Sequence, residues 1–172
     1  IISFCERKGI DFFRGNLQNV AGRFFNFLKS DDKIDAFVRI SGDSPLLDYK
    51  IVDKAITIFS ESQANIVTNT FPKTYPPGQS VEVLDRNFFM NHYPQIKSKP
   101  HREHVTKFFY DNHNEFEIIN FTNDSDMSDI NLSVDTEEDF FRLKEILKFM
   151  NGDKEYYGFK EIYGFAKLQR KK

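Results

Sequence analysis

Cysteine is all but missing from this chain of 172 residues: Cys5 stands alone, and there is no tryptophan. One cysteine excludes an internal disulfide framework and fits a reducing, cytoplasmic setting. A catalytic thiol would need a histidine-type base beside it, and none lies near Cys5 in the sequence. No stretch reaches the roughly 18 apolar residues of a membrane-spanning helix, and no signal-peptide pattern is visible. Neither charge sign dominates. The 24 basic and 26 acidic residues leave a net charge of −2, without the basic stripe of a nucleic-acid-binding surface. The histidines show no zinc-ligand spacing, and there is no internal repeat or domain linker.

What is present is enough apolar material for one core. Hydrophobic residues make up 40% of the chain, 20 of them phenylalanine. Ile1, Ile2, Phe4 and Cys5 already follow helical spacing. A chain seldom enters a helix without a cap, so the expectation is a single domain over 1–172 that is incomplete at its beginning.

Gly9 reads as the stop of that first helix. Residues 10–14 suggest a short strand. Asn16 suggests the cap of a helix that carries Leu17, Val20, Ala21, Phe24, Phe25 and Leu28 on one face. A strand is expected over 36–40 and a helix over 48–60, burying Ile51, Val52, Ala55, Ile56 and Phe59. Further strands are expected over 65–69, 80–84, 115–121 and 130–134. Helices are expected over 86–93, 100–112, from Asp135 to about Met150, and over 155–169. A proline-rich loop covers 71–78. The order is that of an α/β fold with a mixed sheet flanked by helices.

Two acids stand out in that frame. Asp43 follows the apolar run Ala36-Phe37-Val38 and Gly42. Asp135 follows Ile130-Asn131-Leu132-Ser133-Val134. Carboxylates at the C-terminal ends of strands face the crevice where open α/β sheets bind ligands. Two of them suit Mg²⁺, which takes one or two carboxylates and fills its remaining positions with water and phosphate oxygens. The plain alternative makes Asp43 a turn residue and Asp135 a helix cap. Arg14-Gly15-Asn16 forms a second strand-end turn, suited to an anion or a base edge, or simply a β–α connection. His104 shares a helical face with Phe108 and reads equally as a core histidine or a substrate contact.

Several blocks, in this order and spacing, resemble the cytidylyltransferases of the spore-coat polysaccharide biosynthesis type, relatives of CMP-Kdo and CMP-sialic acid synthetases. They are Phe13-Arg14-Gly15, Asn19-Val20 with Gly22-Arg23, Val38 to Leu46, Asn69-Thr70, Tyr75 to Val83, Arg102 to Thr106, and Leu132 to Asp139. The resemblance implies a Rossmann-like nucleotide-diphospho-sugar transferase fold. It also implies transfer of CMP from CTP to a sugar, with release of pyrophosphate and with Mg²⁺ as cofactor. Asp43 and Asp135 match the catalytic, metal-binding acids. Arg14, Gly15 and Asn16 fall where relatives hold the nucleotide, as do Arg39 and Gly42 in the Asp43 block. Tyr75, Gln79, Glu82 and His104 lie in blocks expected to face the sugar. The implied partners are CTP and a sugar, with a homodimer left open and no nucleic acid or membrane.

Two departures accompany the resemblance. The first strand and glycine-rich, basic loop that cradle the triphosphate have no counterpart here, so this stretch alone is expected to bind CTP poorly and turn over little. Ser80 stands where many relatives carry Asp. A non-catalytic nucleotide- or sugar-binding module of the same fold is the alternative. A UDP-sugar glycosyltransferase ranks below it, since the one Asp-x-Asp, Asp124-Ser125-Asp126, lies in a polar loop.

Overall fold

A computed structural model describes residues 1–150 and 157–169. The chain forms two compact units: Ile1–Phe37 with Asp85–Phe116, and Val38–Leu84 with Glu117–Lys172. No helix among the described residues is long and apolar enough to cross a membrane.

The first unit is helical. α1 (Ile2–Lys8) ends at Gly9, whose φ of 63° is the left-handed conformation a glycine stop supplies. The strand expected over 10–14 does not form. Ile10, Phe12 and Phe13 are exposed, and no ladder partner takes their backbone. α2 (Val20–Ser30) starts later than the sequence suggested. Asn16 Oδ1 accepts from the N–H groups of Gln18 and Asn19 in a local turn, so the capping role passes to Asn19, which accepts from Gly22 N. Leu17 is thereby left outside the helix, 82% exposed.

α4 (Arg86–His92) is capped by Asp85, which accepts from Phe88 N at 2.6 Å. Its Arg86 guanidinium donates to Leu28 O near the end of α2. Phe24 packs on Phe37, and Phe25 stacks on Tyr93 with ring centroids 4.2 Å apart. The single helix expected over 100–112 is two: α5 (Lys99–Glu103) and α6 (Lys107–Asp111). They break at Val105, a fully buried β-branched residue with φ of 50°, a genuine backbone outlier.

The strands run in the order β1-β3-β2-β4: β1 (Ala36–Arg39), β3 (Glu82–Asp85), β2 (Ile66–Thr68), β4 (Ile118–Asn120); β2, β4 and most of β3 belong to the second unit. β2 pairs antiparallel with β3, Ile66 opposite Leu84, and parallel with β4, Ile66 opposite Ile118. α3 (Tyr49–Ser60), capped by Asp48, buries Ile51 and Ala55 with Val67, Tyr75, Val81, Val83, Phe121 and Phe159. Ile56, expected inside, is exposed, and Ile58 packs against the core instead. A second cluster joins Ile130 and Leu132 to α7 (Glu137–Phe149) and α8 (Phe159–Gln169) through Ile146, Ile162 and Ala166. Tyr156, expected on the last helix, lies outside the described residues.

Candidate functional site

The expected strand 130–134 is absent, so Asp135 does not sit at a strand end. The alternation of apolar residues is real, with Ile130 and Leu132 buried, yet the backbone bonds go elsewhere. Leu132 N donates to Pro77 O at 2.8 Å and Val134 N to Asp43 O at 2.8 Å. The Asn131 side-chain Oδ1 accepts from both Ser133 N and Ser133 Oγ. Such a local turn competes with a ladder.

The consequence for the site is direct. Val134 adjoins Asp135, so its bond to Asp43 ties together the two acid-bearing segments. Asp43 is half-buried, with Oδ1 accepting from Ser44 Oγ at 2.9 Å. Asp135 is exposed, with Oδ2 accepting from Ser133 Oγ at 3.0 Å. The space beside the Asp43 turn is open: a Cβ at Gly42 would meet nothing within 4 Å.

Thr136, not Asp135, caps α7. Its hydroxyl accepts from Asp139 N, and Asp139 Oδ2 accepts from the N–H groups of Asp135 (3.1 Å) and Thr136 (2.9 Å). The Thr136 hydroxyl bond is the largest influence holding the Asp139 carboxyl at about 2, with Arg142 and the two backbone donors adding to it against the cost of burial. Asp139 falls among the first-turn acids of α7, and Thr136-x-x-Asp139 is a recognisable capping pattern.

The residues expected to face a sugar are mostly engaged within the unit. Gln79 is fully buried; its Nε2 donates to Leu46 O at 2.7 Å and its Oε1 accepts from Asp48 N at 2.9 Å. Tyr75 is a core ring against Phe121 and Phe159, its hydroxyl pKa raised by burial first and by Asp124 second. Glu82, 3% exposed, pairs with the Arg39 guanidinium across β3 and β1. That pairing occupies both a residue expected at the sugar and one expected at the nucleotide.

Arg14, Gly15, Asn16 and His104 belong to the first unit. Arg14 to Asn16 form an exposed irregular stretch. A Cβ at Gly15 would come within 2.5 Å of Arg23 Cγ, so the glycine lets that side chain pass close to the backbone. His104 is exposed at the end of α5, not stacked on a continuous helical face with Phe108.

The donor set at Asp43 and Asp135 fits a hard divalent cation. All donors are oxygens. Among the described residues no cation lies within ion-pair distance of either carboxylate, and one oxygen of each, Asp43 Oδ2 and Asp135 Oδ1, accepts no hydrogen bond. No group of three or more His, Cys, Asp or Glu side chains among the described residues could hold a metal alone.

The family model described as Cytidylyltransferase matches residues 3–169. An uncharacterized protein of Methanocaldococcus jannaschii is 31% identical over 150 residues, covering 86% of this chain and 60% of that protein. The chain thus spans less than two thirds of that relative's length. Among solved structures, a cytidylyltransferase from Leptospira borgpetersenii serovar Hardjo-bovis has a TM-score of 0.90 and 26% identity, covering 99% of this chain and 71% of that one. A CMP:2-keto-3-deoxy-manno-octonic acid synthetase complexed with CTP has a TM-score of 0.61 at 10% identity, over 86% of this chain and 76% of that one, a likeness of fold.

Proposed function

The chain belongs to the cytidylyltransferase family, and from that premise we propose that it serves the transfer of CMP from CTP to a sugar, with release of pyrophosphate, in the making of a surface polysaccharide. The observation that carries this reading is the bond from Val134 N to Asp43 O, which brings two carboxylates free of ion pairs into one neighbourhood.

The chemistry asks the protein for position and charge more than for covalent work. A sugar oxygen attacks the α-phosphorus of CTP, and pyrophosphate departs. Asp43 and Asp135 would hold Mg²⁺, which when bound neutralises charge on phosphate oxygens. Ser44 and Ser133 donate to the two carboxylates and fix their rotamers, leaving the second oxygen of each for the ion. The capping box fixes the backbone of Asp135 from the other side. Gly42, in the same unit as the two acids, is the residue proposed at the nucleotide.

The test is pyrophosphate release from CTP with Mg²⁺ and a panel of acidic and neutral sugars. Sugar-dependent release supports the reading. CTP or sugar binding without any release at saturating Mg²⁺ would favour a non-catalytic binding module instead.

A further inference from the structure

We propose that Gln79 is a positioning residue for the Asp43/Asp135 pair, and that the turn Pro76-Pro77-Gly78-Gln79 is the bracket that sets how the two acids face each other. This rests on the reading of those acids as a divalent-cation site.

The bracket holds both acid-bearing segments at once. On one side the Gln79 side chain spans two backbone groups of the segment after Asp43, donating to Leu46 O at 2.7 Å and accepting from Asp48 N at 2.9 Å. On the other side Pro77 O accepts from Leu132 N at 2.8 Å, three residues before Asp135. Between them Gly78 has a φ of 93° and lies against the backbone of Leu132 and Ser133. A Cβ there would sit 2.6 Å from Leu132 C and 2.7 Å from Ser133 N. Backbone cannot swing aside as a side-chain tip can, so the close approach requires glycine.

The bracket is itself anchored. Gln79 N donates to Pro76 O at 3.0 Å, and Gln79 O accepts from Asn69 Nδ2 at 2.7 Å, just beyond β2. Asn69 Oδ1 accepts in turn from Val81 N. Gln79 and Asn69 are fully buried or nearly so. A satisfied buried amide network of this kind rigidifies its neighbourhood, and groups that orient metal ligands from behind govern metal affinity without touching the ion. The sequence block around Gln79 therefore acts on the metal acids.

The test uses this chain, ¹⁵N-labelled, titrated with Mn²⁺ alone, reading paramagnetic broadening of the Ser44 and Thr136 amide signals beside the two acids. Gln79→Met keeps the side chain's length and removes both bonds. It is expected to need about ten-fold more Mn²⁺ for half-broadening. Gln79→Asn, too short to reach both partners, should shift in the same direction by less and keeps the test open if the Met variant does not fold. Unchanged Mn²⁺ dependence in a folded variant, with only a lowered Tm or a weakened sugar affinity, would overturn the proposal while leaving the cation site standing. Wild-type protein whose Ser44 and Thr136 signals are not selectively broadened would overturn the cation site itself, and the bracket's role with it.

Discussion

Val134 donates its backbone N–H to the carbonyl oxygen of Asp43 at 2.8 Å. The bond joins two segments far apart in sequence, neither of which is a strand at that point. It replaces the sheet as the device that brings the acids together. The expected mechanism was two parallel strands delivering two carboxylates to one edge. The bond observed is between loops, and Leu132 N donates to Pro77 O beside it.

If the two acids share one ion, removing either should abolish the same contribution. In the natural protein, Asp43→Asn and Asp135→Asn should each retain the fold, since both sites lie outside regular elements and the volume is unchanged. Each should lower the rate of pyrophosphate release by two orders of magnitude or more, the loss of about 3–4 kcal/mol that follows removal of one preorganised charge-stabilising group. The double variant should be little worse than either single one. Turnover like the wild type's in Asp43→Asn would leave Asp43 a turn residue only.

The Arg39–Glu82 pair makes a contrasting prediction, on stability. Glu82 is 3% exposed while the Arg39 side chain is 26% exposed. Arg39→Met takes the guanidinium away from a buried carboxylate and should cost up to about 3 kcal/mol in urea denaturation. Arg39→Met combined with Glu82→Leu should recover much of that, because the buried charge leaves with its partner. A nucleotide-contact role for Arg39 would instead show as weaker CTP binding with unchanged urea midpoint.

Much of the fold was legible because hydrophobic spacing survives folding wherever tertiary context agrees with it. α3, β1, β2 and α4 stand close to where periodicity put them. The misses share a cause: polar side chains and buried packing took over the backbone. Asn16 drew its neighbours into a local turn and moved the start of α2 to Asn19. Asn131 did the same to a segment that alternates like a strand. The break at Val105 has no glycine or proline to announce it; its buried side chain and that of Phe109 are what the bend accommodates. At the candidate site, the two acids could be picked out from sequence, but the burial of Gln79 could not, because a buried amide and a binding amide look alike in a motif.

Gly22 explains the spacing of Asn19-Val20 and Gly22-Arg23. A Cβ at Gly22 would lie 2.5 Å from Asn19 Nδ2 and 2.9 Å from the Tyr93 hydroxyl. The same Asn19 caps α2 through Gly22 N and donates to Tyr93 Oη at 3.2 Å. Gly22→Ala should therefore displace the cap and lose about 1 kcal/mol, much as Asn19→Ala does. The two together should lose scarcely more than one alone, read from thermal or urea unfolding. Full additivity would mean that Gly22 acts by some route other than the cap.

Asp139 sets the acid limit of this arrangement. Its carboxyl is held at about 2, below its ordinary 3.8, by the Thr136 hydroxyl above all and then by Arg142 and the N–H groups of Asp135 and Thr136. A carboxyl whose pKa is depressed on folding stabilises the ionised folded state. Its contribution is complete above the unfolded value, and it is lost as pH falls from about 4 to about 2. Between those limits the wild type should lose stability more steeply than Asp139→Asn, whose amide does not titrate, and the two curves should converge toward pH 2. Thr136→Ala removes the leading cause and should cost about 1 kcal/mol at neutral pH, with a shallower acid limb. Because Asp139 also receives the Asp135 N–H, the Asn variant should lose order at Asp135 first, seen as faster amide exchange there than at the Asp43 turn. Equal acid dependence in wild type and Asp139→Asn would remove Asp139 from that role and leave another carboxylate to account for the acid limb.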